Sequence, residues 1–462
     1  MTNWNQTQAH IYTHVQANVQ TQAAAFLREL FAVAVAAVDP HHCLPPHLPE
    51  FPASGRCIVV GAGKAAAAMA QALEQHWLTT GLLSSSELAR LSGMVIVPYG
   101  YSLPCEYIQV REAAHPVPDQ AGYQAASDLL ASVQNLSAAD TVICLLSGGG
   151  SSLMSLPAPG ISLAEKQDIN RALLRSGARI HEINCVRKHL SAIKGGRLAL
   201  ACAPAKVLTY IISDVAGDDA SIIASGPTLT DASTCADALE ILQRYAIPTL
   251  PAVLAHLQLA SSETPKPDHA AFINPHVHII ANAQAALQAA ANFAQAKGVK
   301  VKILSDRLEG EARELGRLHA QLAIQVASEV ANEVANEVAN EVAKDDRQPY
   351  LLLSGGETTV TVKGSGRGGR NTEYLLSLCQ NLNGHEGIYA LAADTDGRDG
   401  SEQNAGAWCT PDSLQRAADL SISASACLAN NDAYTFFAAL DALLVTGPTY
   451  NNVNDFRAIL VL

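Results

Sequence analysis

The chain has 462 residues, 48% of them hydrophobic and 5% aromatic, with 30 Lys and Arg against 43 Asp and Glu for a net charge of −13. This length exceeds one ordinary core and predicts two domains, and the acidic balance argues against generic binding to nucleic acid or to an anionic membrane. The 10 cysteines form no CxxC pair, the N-terminus lacks a signal-peptide pattern, and no apolar run reaches the roughly 20 residues of a membrane span. A cytoplasmic protein with reduced thiols is expected.

In chain order, Ala24–Val38 has a helical pattern, and Arg56–Val60 is a strand that runs into Gly61-Ala62-Gly63-Lys64 and then an Ala-rich helix to about Trp77. Met94–Val97 and Tyr107–Arg111 read as strands, followed by a Pro-locked loop at Ala114–Asp119 and a helix at Ala121–Gln134. The strand Thr141–Leu146 leads to a long helix-forming stretch, Leu163–Ala201, and then to the strand Lys206–Ile212. This βαβ rhythm predicts an open parallel sheet with helices on both faces. The Pro-rich stretch Pro248–Pro275 is the candidate boundary, which sets the domains at 20–262 and 270–462.

Beyond it come a strand at Val277–Ile280, a helix at Ala283–Lys297, a strand at Lys300–Leu304 and a helix from near Glu309. That helix enters a four-residue repeat, Ala331-Asn332-Glu333-Val334 through Val342, read as a helical insertion over 328–344. Tyr350–Leu462 mixes strands, Gly-rich loops and short helices, as expected of an α/β domain with a mixed sheet.

One phrase occurs twice, each time after an apolar strand: Ser147-Gly148-Gly149-Gly150-Ser151-Ser152 and Ser354-Gly355-Gly356-Glu357-Thr358-Thr359. Such a turn exposes backbone N–H groups that can cradle an anion, although either copy alone reads equally as a tight turn. Glu357 would repel a phosphate, so the first copy suits an anion and the second suits bracing a strand.

Gly61-Ala62-Gly63-Lys64-Ala65-Ala66 partly fits the dinucleotide fingerprint. However, Lys64 stands at the helix entrance, and the next strand ends in Val97-Pro98 rather than in an acid for a ribose. It is not a Walker A loop, because the upstream glycine is missing and Ala65 replaces Ser or Thr.

Asn184–Arg197 concentrates positive charge, with Arg187, Ser191 and Lys194 on one face if it is helical. Asp214 follows a strand directly, where α/β sheets bind ligands and ions. Arg367 and Arg370 extend from a Gly loop suited to a carboxylate or phosphate, and Asp394, Asp396 and Asp399 lie just past a strand without forming an EF-hand. Thr446–Asp455 reads as a turn.

In order, the motifs GAGKAA, HPVPD, LLSGGGSSLMSLP, NCVRKHLSAIKGGRLA, SDVAGDDASIIASGPT, LLSGGETTVTVKGSGRGGRNTEY, AADTDGRDG and TGPTYNNVND resemble the glycerate 2-kinase family, from about Ala24 to the C-terminus. Tyr450-Asn451 departs from the small or Gly-Thr pair expected there. The resemblance implies a Rossmann-like N-terminal domain, a C-terminal MOFRL domain, and ATP- and Mg2+-dependent phosphorylation of the 2-hydroxyl of D-glycerate in a cleft between the domains.

It further implies that Ser147, Gly148, Gly149, Gly150, Ser151, Ser152 and Lys194 meet the nucleotide. Lys64, Arg370, Asn371 and Asp396 would meet the substrate. Asp214 would serve with Lys64 and Arg370 in catalysis, accepting the hydroxyl proton or holding the metal, with Asp396 in reserve. An NAD(P)H-dependent hydroxypyruvate reductase and a non-catalytic nucleotide or metabolite sensor remain open, as does a homo-oligomer.

Overall fold

Apolar runs flanked by glycine and polar residues build a first sheet from β1 (Cys57–Ala62), β2 (Leu91–Pro98), β3 (Ile108–Ala113), β4 (Thr141–Leu146), β5 (Lys206–Ile212) and β6 (His276–Ala281). Every neighbouring pair is parallel, in the order β3-β2-β1-β4-β5-β6. Strands β1 and β4 are buried along their whole length, as expected for central strands covered on both faces. Crossover helices such as Ala66–Thr79 and Gln120–Ser132 connect them. In this order the chain direction reverses beside β1, so β1 and β4 flank a topological switch point, the place where open α/β sheets bind ligands.

The second sheet comprises β7 (Lys300–Glu311), β8 (Tyr350–Thr359), β9 (Ile388–Asp394), β10 (Gly406–Cys409), β11 (Leu443–Leu444) and β12 (Asp455–Val461). Its order is β11-β10-β9-β12-β8-β7, with β7 and β8 parallel and the other pairs antiparallel, so the sheet is mixed.

The computed structural model describes residues 2–79, 83–272, 276–339 and 348–462. It divides into two units: Asp39–Asn282 with Tyr450–Val453, and Met1–Val38 with Ala283–Thr449 and Asn454–Leu462. The helix Thr2–Ala37 therefore belongs with the second sheet. It begins well before Ala24, where the helical pattern in the sequence starts.

The stretch Leu163–Ala201 is three helices, Leu163–Arg175, Ile180–His189 and Arg197–Cys202. Gly177 ends the first at φ +77°, and Gly195 and Gly196 separate the others at φ +56° and +82°, a left-handed backbone that interrupts an α-helix. Ser191 and Lys194 thus lie beyond the helix that carries Arg187, and the expected shared helical face does not form. Strand β7 continues to Glu311, so its following helix starts at Ala312 rather than near Glu309. That helix runs to Ala339, and the end of the expected 328–344 insertion lies outside the described residues.

Candidate active site

Loops at the C-terminal ends of β1, β3, β4 and β5 meet in the first-sheet unit. The Lys64 N–H donates to the Gly148 carbonyl at 2.9 Å, and the Ala65 N–H donates to Ser147 Oγ at 3.0 Å, which ties the loop after β1 to the loop after β4. Ser147 is fully buried and serves this brace. The N–H groups of Ser147, Gly150 and Ser152 donate to the carbonyls of Ala62, Ser147 and Gly149. Among the described residues this leaves Gly148, Gly149 and Ser151 as the loop's candidate backbone donors for an anion. The helix that follows, Gly150–Leu153, is a single turn, so it adds little dipole to this loop.

Two glycines let neighbouring side chains approach the loop closely. A Cβ on Gly148 would fall 2.0 Å from Asp214 Oδ2 and 2.5 Å from Asn452 Nδ2. Gly149, at φ +83°, would bring its Cβ 3.0 Å from the His115 ring. Asp214, just past β5, therefore lies directly against the loop, and its Oδ2 accepts a hydrogen bond from Asn452 Nδ2 at 3.1 Å. Asn452 belongs to the segment that the sequence left as a plain turn. Behind the loop, Ala224 and Ser225 hold left-handed φ values of +51° and +60°, and Ser225 Oγ is 2.8 Å from Ser151 Oγ. A non-glycine residue in that region costs about 1–3 kcal/mol, so the surrounding packing must hold the pair in place.

Beside Gly149 and Ser151 opens a cavity of about 200 Å³ that Lys166, Arg187 and Lys194 also line. Lys194 is 1% exposed, and its Nζ donates to the Ser151 carbonyl at 2.7 Å. Lys166 Nζ donates to the Leu156 carbonyl at 3.3 Å, and Arg187 Nε donates to Asn170 Oδ1 at 2.6 Å. Burial pushes the Lys166 ammonium down to about 7, with Arg187 and Arg197 adding repulsion. Burial also pulls Lys194 well below its ordinary value, helped by Lys166 and Arg187. The sequence reading included Lys194 and the Arg187 stretch but missed Lys166, whose helix looked like an ordinary amphipathic one.

In the second-sheet unit, Arg370 opens the helix Arg370–Leu382 and is gripped by three carboxylates. Its Nε donates to Asp455 at 2.7 Å, Nη1 to Glu357 at 2.7 Å and Nη2 to Asp394 at 2.8 Å. Burial opposes the guanidinium charge, but these three acids outweigh it and hold Arg370 more firmly protonated. Strand register creates the cluster, because Asp455 on β12 pairs with Gly356 on β8 and with Asp394 on β9. Ser354-Gly355-Gly356-Glu357 thus lies within β8 and is no loop at all; its Glu357 braces Arg370.

Asn371 Nδ2 donates to Asp455 Oδ1 at 2.7 Å. Asp399 accepts the Asn371 and Thr372 N–H groups at 2.9 and 2.8 Å, which makes it a cap for the helix. Asp396 is buried and accepts the Arg398 N–H at 2.8 Å. The structure therefore groups Lys64, the Ser147–Ser152 loop, Lys194 and Asp214 in one unit, and Arg370, Asn371 and Asp396 in the other. The sequence reading did not single out Asp455, because the register that makes it a partner of Arg370 is a tertiary property.

Comparison with known proteins agrees with this architecture. The model described as Domain of unknown function (DUF4147) matches residues 26–258, and the MOFRL family model matches residues 350–455. A protein of Agrobacterium vitis provisionally named hydroxypyruvate reductase is 48% identical over 441 residues, covering 95% of this chain and 94% of the relative. The D-glycerate 2-kinase of Thermotoga maritima is 40% identical over 429 residues, covering 92% and 95%. A crystal structure of glycerate kinase from Thermotoga maritima superposes with a TM-score of 0.82 at 38% identity, covering 96% of this chain and 100% of that one. With a DUF4147 region followed by a MOFRL region, the chain belongs to the glycerate 2-kinase family.

Proposed function

We propose that the chain is a phosphotransferase that moves the terminal phosphoryl group of ATP to the 2-hydroxyl of D-glycerate, giving 2-phospho-D-glycerate and ADP. The observation that carries this reading is the switch-point loop, where Gly148 lies against Asp214 and beside the backbone of Lys64. Phosphoryl transfer needs little covalent chemistry from a protein; it needs positioning and neutralisation of phosphate charge. The N–H groups of Gly148, Gly149 and Ser151 supply neutral donors for phosphate oxygens, and Lys64 supplies a cation. Arg370, oriented by its three carboxylates, is assigned to an anionic group of the reactants, and Asn371 and Asp396 to the substrate.

Mg2+ is bound in kinases through one or two carboxylates together with the substrate phosphates, and it neutralises charge on those phosphates. Asp214 fits that demand, as a hard oxygen donor in contact with a loop suited to phosphate. Alternatively, the Asp214 carboxylate accepts the proton of the attacking hydroxyl.

The hydroxypyruvate reductase reading rests on the partial dinucleotide fingerprint at Gly61–Ala66 and on the provisional name of the Agrobacterium vitis relative. Against it, β2 ends in Val97-Pro98, where a dinucleotide site would present an acid to the ribose. Incubation with ATP, Mg2+ and D-glycerate, followed by direct detection of ADP and 2-phosphoglycerate, is expected to show turnover. Absence of ADP together with oxidation of NADH or NADPH by hydroxypyruvate would replace the kinase reading with the reductase one.

A further inference from the structure

We infer that the cavity beside Gly149 and Ser151 is a buried anion pocket in which Lys166, Arg187 and Lys194 receive a phosphate group of the phosphoryl donor. This rests on the kinase reading above and extends it to residues that the loop alone does not implicate. Three basic side chains, Lys166, Arg187 and Lys194, line one cavity, and its lining contains no Asp or Glu. Their hydrogen-bond partners are neutral: the carbonyls of Leu156 and Ser151 and the amide of Asn170. A carbonyl can solvate an ammonium but cannot cancel its charge, and buried charges are ordinarily paired.

The same chain pairs its neighbouring cations in the ordinary way. Lys188 meets Asp231 at 3.3 Å and Arg244 meets Glu182 at 2.8 Å, so carboxylates are not scarce in this unit. Crowding Lys166, Arg187 and Lys194 without an acid destabilises the unliganded fold, and a bound anion removes that penalty. A dianionic phosphate favours the charged forms of these three side chains more than a single carboxylate does, and the Ser151 hydroxyl adds a neutral polar group at the same wall. Because Gly149 and Ser151 line the cavity, it is continuous with the loop after β4.

The test measures binding without turnover. Titration calorimetry of the full-length protein with pyrophosphate, ADP, adenosine and D-glycerate compares wild type with Lys166→Met and, separately, Arg187→Met. The expected result is at least tenfold weaker binding of pyrophosphate and ADP in each variant, with adenosine and D-glycerate within twofold of wild type. Lys166→Met without ligand is expected to melt at the wild-type temperature or above it, because a buried amine that burial holds away from its charged form has been removed.

Unchanged affinity for pyrophosphate and ADP would overturn the pocket, as would a lower melting temperature with unchanged affinity, which marks a purely structural lysine. A loss confined to D-glycerate would move the substrate carboxylate into the cavity and overturn the donor assignment. Failure of the kinase reading itself is seen separately, as absence of ADP formation by the wild type, because pyrophosphate binding does not depend on turnover.

Discussion

Lys166 sits on an amphipathic helix whose start is a regular capping box, Ser162 with Glu165, and nothing in that local pattern marks it as special. Its neighbourhood does. Burial sets its protonation near pH 7, far below the roughly 10.4 of an unfolded chain. Between those values the unfolded state binds a proton that the folded state does not, so this residue makes stability rise as pH increases from about 7 towards about 10. Urea unfolding of the unliganded protein at pH 7 and pH 9 is expected to show a larger gain for wild type than for Lys166→Met. An equal gain in the two proteins would show that Lys166 is not the titrating group.

Among the elements, β12 does the most to organise the second sheet's candidate residues. Its first residue, Asp455, is buried between Arg370 and Arg457, and Arg457 in turn lies over the ring of Tyr374 at 5.2 Å. Removing one partner of a buried ion pair leaves the other uncompensated, so Asp455→Ala is expected to cost about 3–5 kcal/mol in denaturant unfolding. Glu357→Ala removes the most exposed of the three acids on Arg370, with its side chain 55% exposed, and should cost under about 1 kcal/mol. Comparable losses in both variants would show that the register at β12 is not what anchors the cluster.

Most elements were legible from periodicity, because buried parallel strands read as continuous apolar runs. Helix-forming composition over Leu163–Ala201 hid glycines that adopt left-handed conformations, and Ser354–Thr359 looked like a loop although pairing with β12 over Ser354–Gly356 and with β7 over Gly356–Thr359 keeps it extended.

For the molecule as a whole, Lys64 and Arg370 belong to different compact units, yet both are assigned to the proposed reaction. Lys64→Ala and Arg370→Ala are each expected to lower kcat by about 10²–10³, the scale seen when one preorganised electrostatic contact is removed, with circular dichroism unchanged. Near-normal turnover in either variant would withdraw that residue from the reaction.

By itself the sequence determined the parallel sheet, the Gly loop after β4, the family and the identity of Lys64, Asp214, Lys194 and Arg370 as candidates, since these depend on local pattern and composition. Only the tertiary structure decided that Asn452 touches Asp214, that Asp455 holds Arg370, and that Lys166 joins Arg187 and Lys194 in a cavity without an acid. Strand register and burial bring those residues together from distant parts of the chain, and neither quantity is encoded in any one short segment.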